Sequence, residues 1–130
     1  MICYIGLGSN DGDRELHLHN GLNNLAEICD NIYFSTHYES PALNPGKVYY
    51  LNSVALIEFS GTLDALNTLL KKFEIQEGRT PEARAEGRVP LDMDVVIADG
   101  KILRPKDYNC YFFFRRGYEE LRPHPSNNQD

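Results

Sequence analysis

The sequence predicts an α+β protein with a ferredoxin-like βαββαβ core: an antiparallel sheet with helices packed against it. Three observations lead there. Apolar residues recur at a period of two in some stretches and of three to four in others, so strands and helices interleave. The resulting order is strand, helix, strand, strand, helix, strand, which is the split βαβ arrangement. The length of 130 residues, with 42 % hydrophobic and 25 % charged, is that of one ordinary globular domain. Residues 1–122 are expected to form that domain and 123–130 a polar tail.

Each element has its own signal. Ile2 to Leu7 reads as a buried strand running into Gly6-Leu-Gly-Ser-Asn10, which is rich in turn residues. Leu18, Leu22, Leu25 and Cys29 fall on one helical stripe, so a helix spans about Asp13 to Cys29, with Asp11 or Asp13 as its cap. Asn31 to Glu39 alternates and is read as a strand, as is Tyr49 to Phe59. The Ser40-Pro-Ala-Leu-Asn-Pro-Gly46 connection is too irregular for a tight hairpin. Thr62 opens a second helix on Leu63, Leu66, Leu70 and Phe73, stopped by Gly78. After an irregular stretch from Gly78 to Pro90, Leu91 to Ala98 forms a strand, and Asp99-Gly100 turns it into Lys101 to Arg104. Lys106 to Leu121 is read as an unusually aromatic helix.

Composition excludes several functions. The net charge of −6, from 13 Lys+Arg against 19 Asp+Glu, argues against binding nucleic acid or an anionic membrane, both of which need a basic face. Cys3, Cys29 and Cys110 are odd in number and form no C-x-x-C pair, so neither zinc nor a disulfide framework is expected. No signal peptide or membrane-length apolar run is visible, and a cytoplasmic location is expected. Gly6-Leu-Gly8 lacks the third glycine of a dinucleotide fingerprint, and no P-loop is present. Its glycines are read as allowing close packing of strand against loop, with backbone amides there still able to meet a ligand. His17, His19, His37 and His124 share no spacing that suits a metal, and Ser9 has no partners for nucleophilic catalysis.

The chemical signal lies in Leu91-Asp92-Met93-Asp94-Val95-Val96-Ile97. On a strand, Leu91, Met93, Val95 and Ile97 share one face, and Asp92 and Asp94 the other, with Cα atoms about 6.5 to 7 Å apart. Paired carboxylates repel unless a proton or a cation lies between them, and hard oxygens suit Mg²⁺ together with substrate phosphates. The alternative is a solvated strand face with two ordinary aspartates. Arg79, Arg84 and Arg88 lie within a ten-residue stretch directly before the pair, and guanidinium forks match phosphate oxygens. Glu82 and Glu86 among them leave a mixed-charge surface loop as the other reading.

Taken together, Tyr4-Ile-Gly-Leu-Gly-Ser-Asn10, Tyr38-Glu-Ser-Pro-Ala-Leu43, Tyr50-Leu-Asn52 and Leu91-Asp-Met-Asp94 resemble the 6-hydroxymethyl-7,8-dihydropterin pyrophosphokinases of the folate pathway. The resemblance covers roughly residues 2–100. It implies transfer of diphosphate from ATP to the pterin hydroxymethyl group, with AMP as the second product. Asp92 and Asp94 would hold two Mg²⁺ ions beside ATP, with Arg79 and Arg88 as further catalytic residues. Ser40, Pro41, Leu43, Tyr50 and Asn52 match the pterin pocket, and Tyr118 is expected on the other face of the ring. Glu74, Arg79, Arg84, Arg88 and Arg116 are expected on the ATP side. The partners implied are small molecules only, with the chain a monomer or weak oligomer. The sequence departs from the family's Arg-Trp-x-Pro-Arg run: Glu86 stands at the tryptophan position and Val89 at the second arginine. The family's Pro-His stretch after the hairpin is also missing. These departures keep open a non-catalytic pterin- or nucleotide-binding relative, or an interaction domain using the aromatic segment from Tyr108 to Tyr118.

Overall fold

In a computed structural model, which describes residues 1–40 and 49–122, the first apolar stretch forms the central strand β1 (Ile2–Ser9). It is flanked by β4 (Leu51–Glu58) and β5 (Asp92–Ala98), both antiparallel to it. β2 (Asn31–Phe34) and β3 (Tyr38–Glu39) pair the far side of β4, and β6 (Lys101–Ile102) pairs β5. The sheet therefore has six strands in the order β2-β4-β1-β5-β6, with β3 beside β4. This is the α+β arrangement the sequence predicts. Pro41, Leu43, the rest of 41–48 and the tail 123–130 with His124 lie outside the described residues.

The strand alternation sends two sets of side chains to two faces. Ile5 and Leu7 of β1, Ala55 and Ile57 of β4, and Leu91 and Met93 beside and within β5 pack in one core with helices α1 (Arg14–Ile28) and α2 (Leu63–Gln76). The helices supply the stripes read from sequence, with Leu18, Leu25, Leu66 and Leu70 each at most 1 % exposed. Each such side chain contributes about 1.5–3 kcal/mol of burial. Asp13 caps α1 by accepting from the Leu16 N–H at 3.1 Å, and Thr62 caps α2 through the Ala65 N–H at 3.1 Å. Gly78, at φ +106°, turns the chain away after α2.

The second face is covered by the end of the chain. α4 (Pro105–Tyr108), a π-helical turn at Tyr111–Arg115 and α5 (Arg116–Leu121) replace the single helix expected over 106–121. Phe114 and Leu121 pack there on Tyr4, Val54, Leu56 and Val96. Gly117 makes the docking possible, because a Cβ on it would lie 2.6 Å from Val54 Cγ2.

Four local expectations change. β1 runs on to Ser9, so Gly6-Leu-Gly8 is strand rather than turn. The expected strand over 31–39 is split, since Phe34 opposes Ala55 and Tyr38 opposes Asn52, leaving one extra residue between them. Buried Ser35 holds the break, its Oγ accepting from the Val54 N–H at 2.9 Å. The register of β5 against β1 slips at Tyr4/Ile5, and this bulge sends Ile97 to the second face with Val96, away from Val95. Within the stretch read as irregular, Thr80 caps a short helix, α3 (Pro81–Ala85).

Candidate active site

Two glycines two residues apart on a strand leave two gaps on the same face. Gly6 and Gly8 do this at the middle of the sheet, on the face covered by the C-terminal segment. A Cβ on Gly8 would come within 3.3 Å of Asn52 Oδ1 and of the Tyr50 ring, and one on Gly6 within 3.6 Å of Phe114. The register sets Asn52 beside Gly8 from β4, Asp92 beside Gly8 from β5, and Asp94 beside Gly6. The result is a cleft of about 280 Å³ with a glycine floor, aromatic walls at Tyr50, Phe113 and Phe114, and carboxylates at Asp92, Asp94 and Asp107. A planar apolar ring and a charged group can share such a space.

At the aromatic end, the Tyr50 and Phe113 rings meet edge to face, with centroids 5.8 Å apart and planes at 74°. Burial, helped by the charge of Asp92, raises the Tyr50 phenol above its ordinary range, so it stays a neutral donor at pH 7. Asn52 is 2 % exposed. Its Nδ2 donates to the carbonyls of Tyr38, Tyr50 and Phe112 at 3.3–3.5 Å, which fixes the amide between two strands and the C-terminal segment. The Tyr38 hydroxyl donates to the Phe113 carbonyl at 3.2 Å and ties the same segment down.

At the acidic end, the two aspartates stand on one face as the sequence predicts. Burial first, and then the charge of Asp92, pushes the Asp94 carboxyl up to about 7. Each aspartate has a cation on its outer side: Arg79 Nη1 donates to Asp92 Oδ1 at 2.8 Å, and Arg104 Nη1 lies 3.7 Å from Asp94 Oδ1. Glu74 supports them from beneath. It is 3 % exposed, accepts from the Met93 N–H at 2.8 Å and pairs with Arg79 at 3.1 Å. Among the described residues, no three His, Cys, Asp or Glu side chains come together as a metal cage. A divalent ion here would draw on two carboxylates and on oxygens of its ligand. That is the donor set Mg²⁺ favours, and a like-charge pair that holds a proton near neutrality is one a cation would relieve.

The structure brings Asp92, Asp94, Arg79, Glu74, Tyr50 and Asn52 together at the cleft or directly beneath it. Other expected site residues lie elsewhere. Tyr118 is in an aromatic cluster with Tyr4, Phe114 and Tyr108, its ring stacked at 16° on Phe114, and the ring facing Tyr50 is that of Phe113. Arg116 lies over the Tyr38 ring at 5.2 Å. Arg88 reaches Asp11 at 3.2 Å and Glu86 at 2.6 Å. Arg84 is on α3. Ser40 is buried against β4, its N–H donating to the Tyr50 carbonyl at 3.0 Å. His17 and His37 pair with Glu77 and Glu15, in line with structural roles.

Phe113, Asp107 and Arg104 are features of the cleft and its edge that sequence reasoning missed; of the floor glycines it gives ligand contact only as the lesser reading. For the glycines a signal existed: Gly-x-Gly inside a strand marks a close approach by a ligand or another backbone. For Phe113 there was none, since a run of three phenylalanines does not show which ring a π-helical turn aims inward.

Residues 4–128 match the model of the family described as 7,8-dihydro-6-hydroxymethylpterin-pyrophosphokinase. The chain is also 33 % identical over 106 residues to the 2-amino-4-hydroxy-6-hydroxymethyldihydropteridine pyrophosphokinase of Aquifex aeolicus (strain VF5). That alignment covers 79 % of this chain and 64 % of the relative, so the chain spans just under two thirds of the relative's length.

Proposed function

Because the chain belongs to the 7,8-dihydro-6-hydroxymethylpterin-pyrophosphokinase family, we infer that it transfers diphosphate from ATP to 6-hydroxymethyl-7,8-dihydropterin. The products are AMP and the pterin diphosphate, a step of folate biosynthesis in the cytoplasm. The observation that supports this best is the single cleft holding an aromatic slot at one end and the Asp92/Asp94 pair at the other. A flat heterocycle bearing a hydroxymethyl group suits such a space: the ring lies against the aromatic wall of Tyr50 and Phe113, over the glycine floor, and the hydroxyl points toward the carboxylates.

The pterin hydroxyl oxygen attacks the β-phosphorus of ATP, the bond from that phosphorus to the α,β-bridging oxygen breaks, and the hydroxyl proton leaves to water. The protein's part is to position and to stabilise charge, without a covalent intermediate. Tyr50 and Phe113 hold the ring, and Asn52, fixed by its three carbonyl contacts, presents its amide to the ring edge. Pro41 and Leu43, expected in the same pocket, belong to the segment outside the described residues. Asp92 and Asp94 are the residues that would hold Mg²⁺, and when bound it neutralises phosphate charge as the displacement develops. Arg79 is 2.8 Å from Asp92 and reaches the same place, so it is available to phosphate oxygens once the carboxylate has another cation.

A second reading, a relative that binds pterin without transfer, is favoured by one observation: Arg88 is committed to Asp11 and Glu86. One assay separates the two. Pterin-dependent release of AMP from ATP and Mg²⁺ is expected for the enzyme, and its loss in Asp94→Ala with an unchanged circular dichroism spectrum. Pterin binding without AMP release selects the second reading. Near-normal turnover in Asp94→Ala removes the metal assignment.

A further inference from the structure

Phe112, Phe113 and Phe114 follow one another through the π-helical turn, and the middle ring is the one that meets Tyr50. Successive helical side chains point roughly 100° apart, so a slip of one residue would bring a different ring to that wall. Phe114, 1 % exposed, anchors the turn in the core of the second face. Phe113 is only half-buried, so core packing does not settle where its ring lies. The turn has no side-chain cap at its start. Two of its consecutive carbonyls accept from the sheet instead. Phe112 takes Asn52 Nδ2 at 3.5 Å, and Phe113 takes the Tyr38 hydroxyl at 3.2 Å, the shorter contact of the two.

Tyr38 is a rigid arm for that contact. It is 4 % exposed, and its backbone lies opposite Asn52 in the β3–β4 pairing. Its own carbonyl accepts from Asn52 Nδ2 at 3.3 Å, and the Arg116 guanidinium lies over its ring at 5.2 Å. Burial pushes its phenol up to about 12, with the Gly117 backbone and Arg116 pulling the other way, so at neutral pH it is a protonated donor.

We propose that Tyr38 is a positioning residue for the pterin: its hydroxyl pins the register of the π-helical turn and keeps Phe113, rather than a neighbouring phenylalanine, against Tyr50. The inference rests on the assignment of this end of the cleft to the pterin in the transfer reading. Tyr38 acts through Phe113 and not by touching the ligand. A buried tyrosine whose hydroxyl is merely satisfied would support the fold and affect both ligands alike. A pin acts at the pterin end alone, and only while Phe113 is there to be aimed.

The test is calorimetry of 6-hydroxymethylpterin, and separately of α,β-methylene-ATP with Mg²⁺, on the full chain, with circular dichroism to check that each variant is folded. Tyr38→Phe keeps the ring and removes only the hydroxyl. It should weaken the pterin about three- to tenfold, the scale of one neutral hydrogen bond, and leave the nucleotide within about twofold of the wild type. In turnover the KM for the pterin should rise while the KM for ATP stays. In a Phe113→Ala background the same substitution should cost less than about twofold, because no ring is left to aim. Glu120→Ala is the control. Glu120 accepts from the Thr36 N–H and from its hydroxyl, both at 2.9 Å, and so ties the same C-terminal segment to the stretch between β2 and β3 without lining the cleft. Its loss should leave pterin affinity within about twofold. Four results would each overturn the positioning role: unchanged pterin affinity in Tyr38→Phe, a nucleotide weakened as much as the pterin, a loss of the same size in the Phe113→Ala background, or an equal loss in Glu120→Ala. The transfer reading then stands on AMP release by the wild type. A wild type that binds the pterin and releases no AMP overturns transfer alone, and the positioning role is read from binding. A wild type that binds no pterin overturns both.

Discussion

Replacing Glu74 by alanine asks how the aspartate-bearing strand is held. β6 pairs only Ile97 and Ala98 of β5, so the half of β5 that carries Asp92 and Asp94 lies beyond the end of its outer neighbour. The Met93 N–H, between the two aspartates, donates instead to Glu74 Oε2 at 2.8 Å. Glu74 is 3 % exposed, so removing it strands a buried donor. A hydrogen bond to a charged acceptor accounts for about 1.5–3 kcal/mol. The lost contact with Arg79 adds little, because Arg79 keeps Asp92, and Lys71 is 61 % exposed at its side chain. The expected loss is about 2–4 kcal/mol, which at roughly 3–5 °C per kcal/mol for a chain of this size lowers the melting temperature by about 6–20 °C. Glu74→Gln keeps a carbonyl oxygen for Met93 and should cost about half as much. Thermal unfolding followed by circular dichroism in ligand-free protein measures both. An alanine variant melting within about 2 °C of the wild type would refute the latch. A glutamine variant as damaged as alanine would show that charge, not the hydrogen bond, holds the strand.

Three further outcomes are expected. Asp94, pushed up to about 7 from an ordinary 3.8 by burial and by Asp92, holds a proton in the folded chain between those values that the unfolded chain has released. Its contribution to stability is therefore complete below about pH 4 and is lost as pH rises through about 7, so without Mg²⁺ the wild type should lose stability relative to Asp94→Asn between pH 5 and 8. Paired melts that show a gap constant across that range would refute the raised carboxyl. Phe113→Ala should weaken 6-hydroxymethylpterin about tenfold, the scale of one lost aromatic contact, while Tyr118→Phe leaves calorimetric affinity unchanged; the reverse ranking would return Tyr118 to the pocket. Gly117→Ala places a methyl 2.6 Å from Val54 Cγ2 and should destabilise by about 1–3 kcal/mol. Val54→Ala in the same chain should recover part of the loss, and denaturant unfolding that shows no such rescue would locate the strain elsewhere.

What could be read from sequence divides along physical lines. The leucine stripes of α1 and α2, the caps at Asp13 and Thr62, and the turn at Asp99-Gly100 are set within a few residues, and the structure carries all of them. The shared face of Asp92 and Asp94 follows from strand geometry alone and survives the bulge, which falls after them. Ile97 was assigned to the wrong face because a bulge depends on the partner strand. Tyr118 and Phe113 exchanged places for a similar reason: a π-helical turn shifts every later side chain, and nothing in Tyr111-Phe-Phe-Phe-Arg115 announces it. Arginines are the least legible. A guanidinium on a long stem chooses among acids that only the fold brings near, so Arg88 went to Asp11, far off in sequence, and Arg104 came to Asp94 unannounced.

The same placement bears on how a chain of net charge −6 would offer room to the polyphosphate of the proposed reaction. Three carboxylates, Asp92, Asp94 and Asp107, line one cleft, and a triphosphate brought there alone would meet repulsion that Arg79 and Arg104 only partly offset. The two arginines answer two of the three acids. The remaining negative charge, added to that of the nucleotide, has to be met by cations that enter with it. On the proposed transfer reading, nucleotide affinity in this cleft is therefore expected to depend on the divalent ion more tightly than in a site built from arginines alone. The end proposed for the pterin, walled by Tyr50, Phe113 and the fixed amide of Asn52, carries no such requirement, so the two halves of one cavity would answer to different conditions.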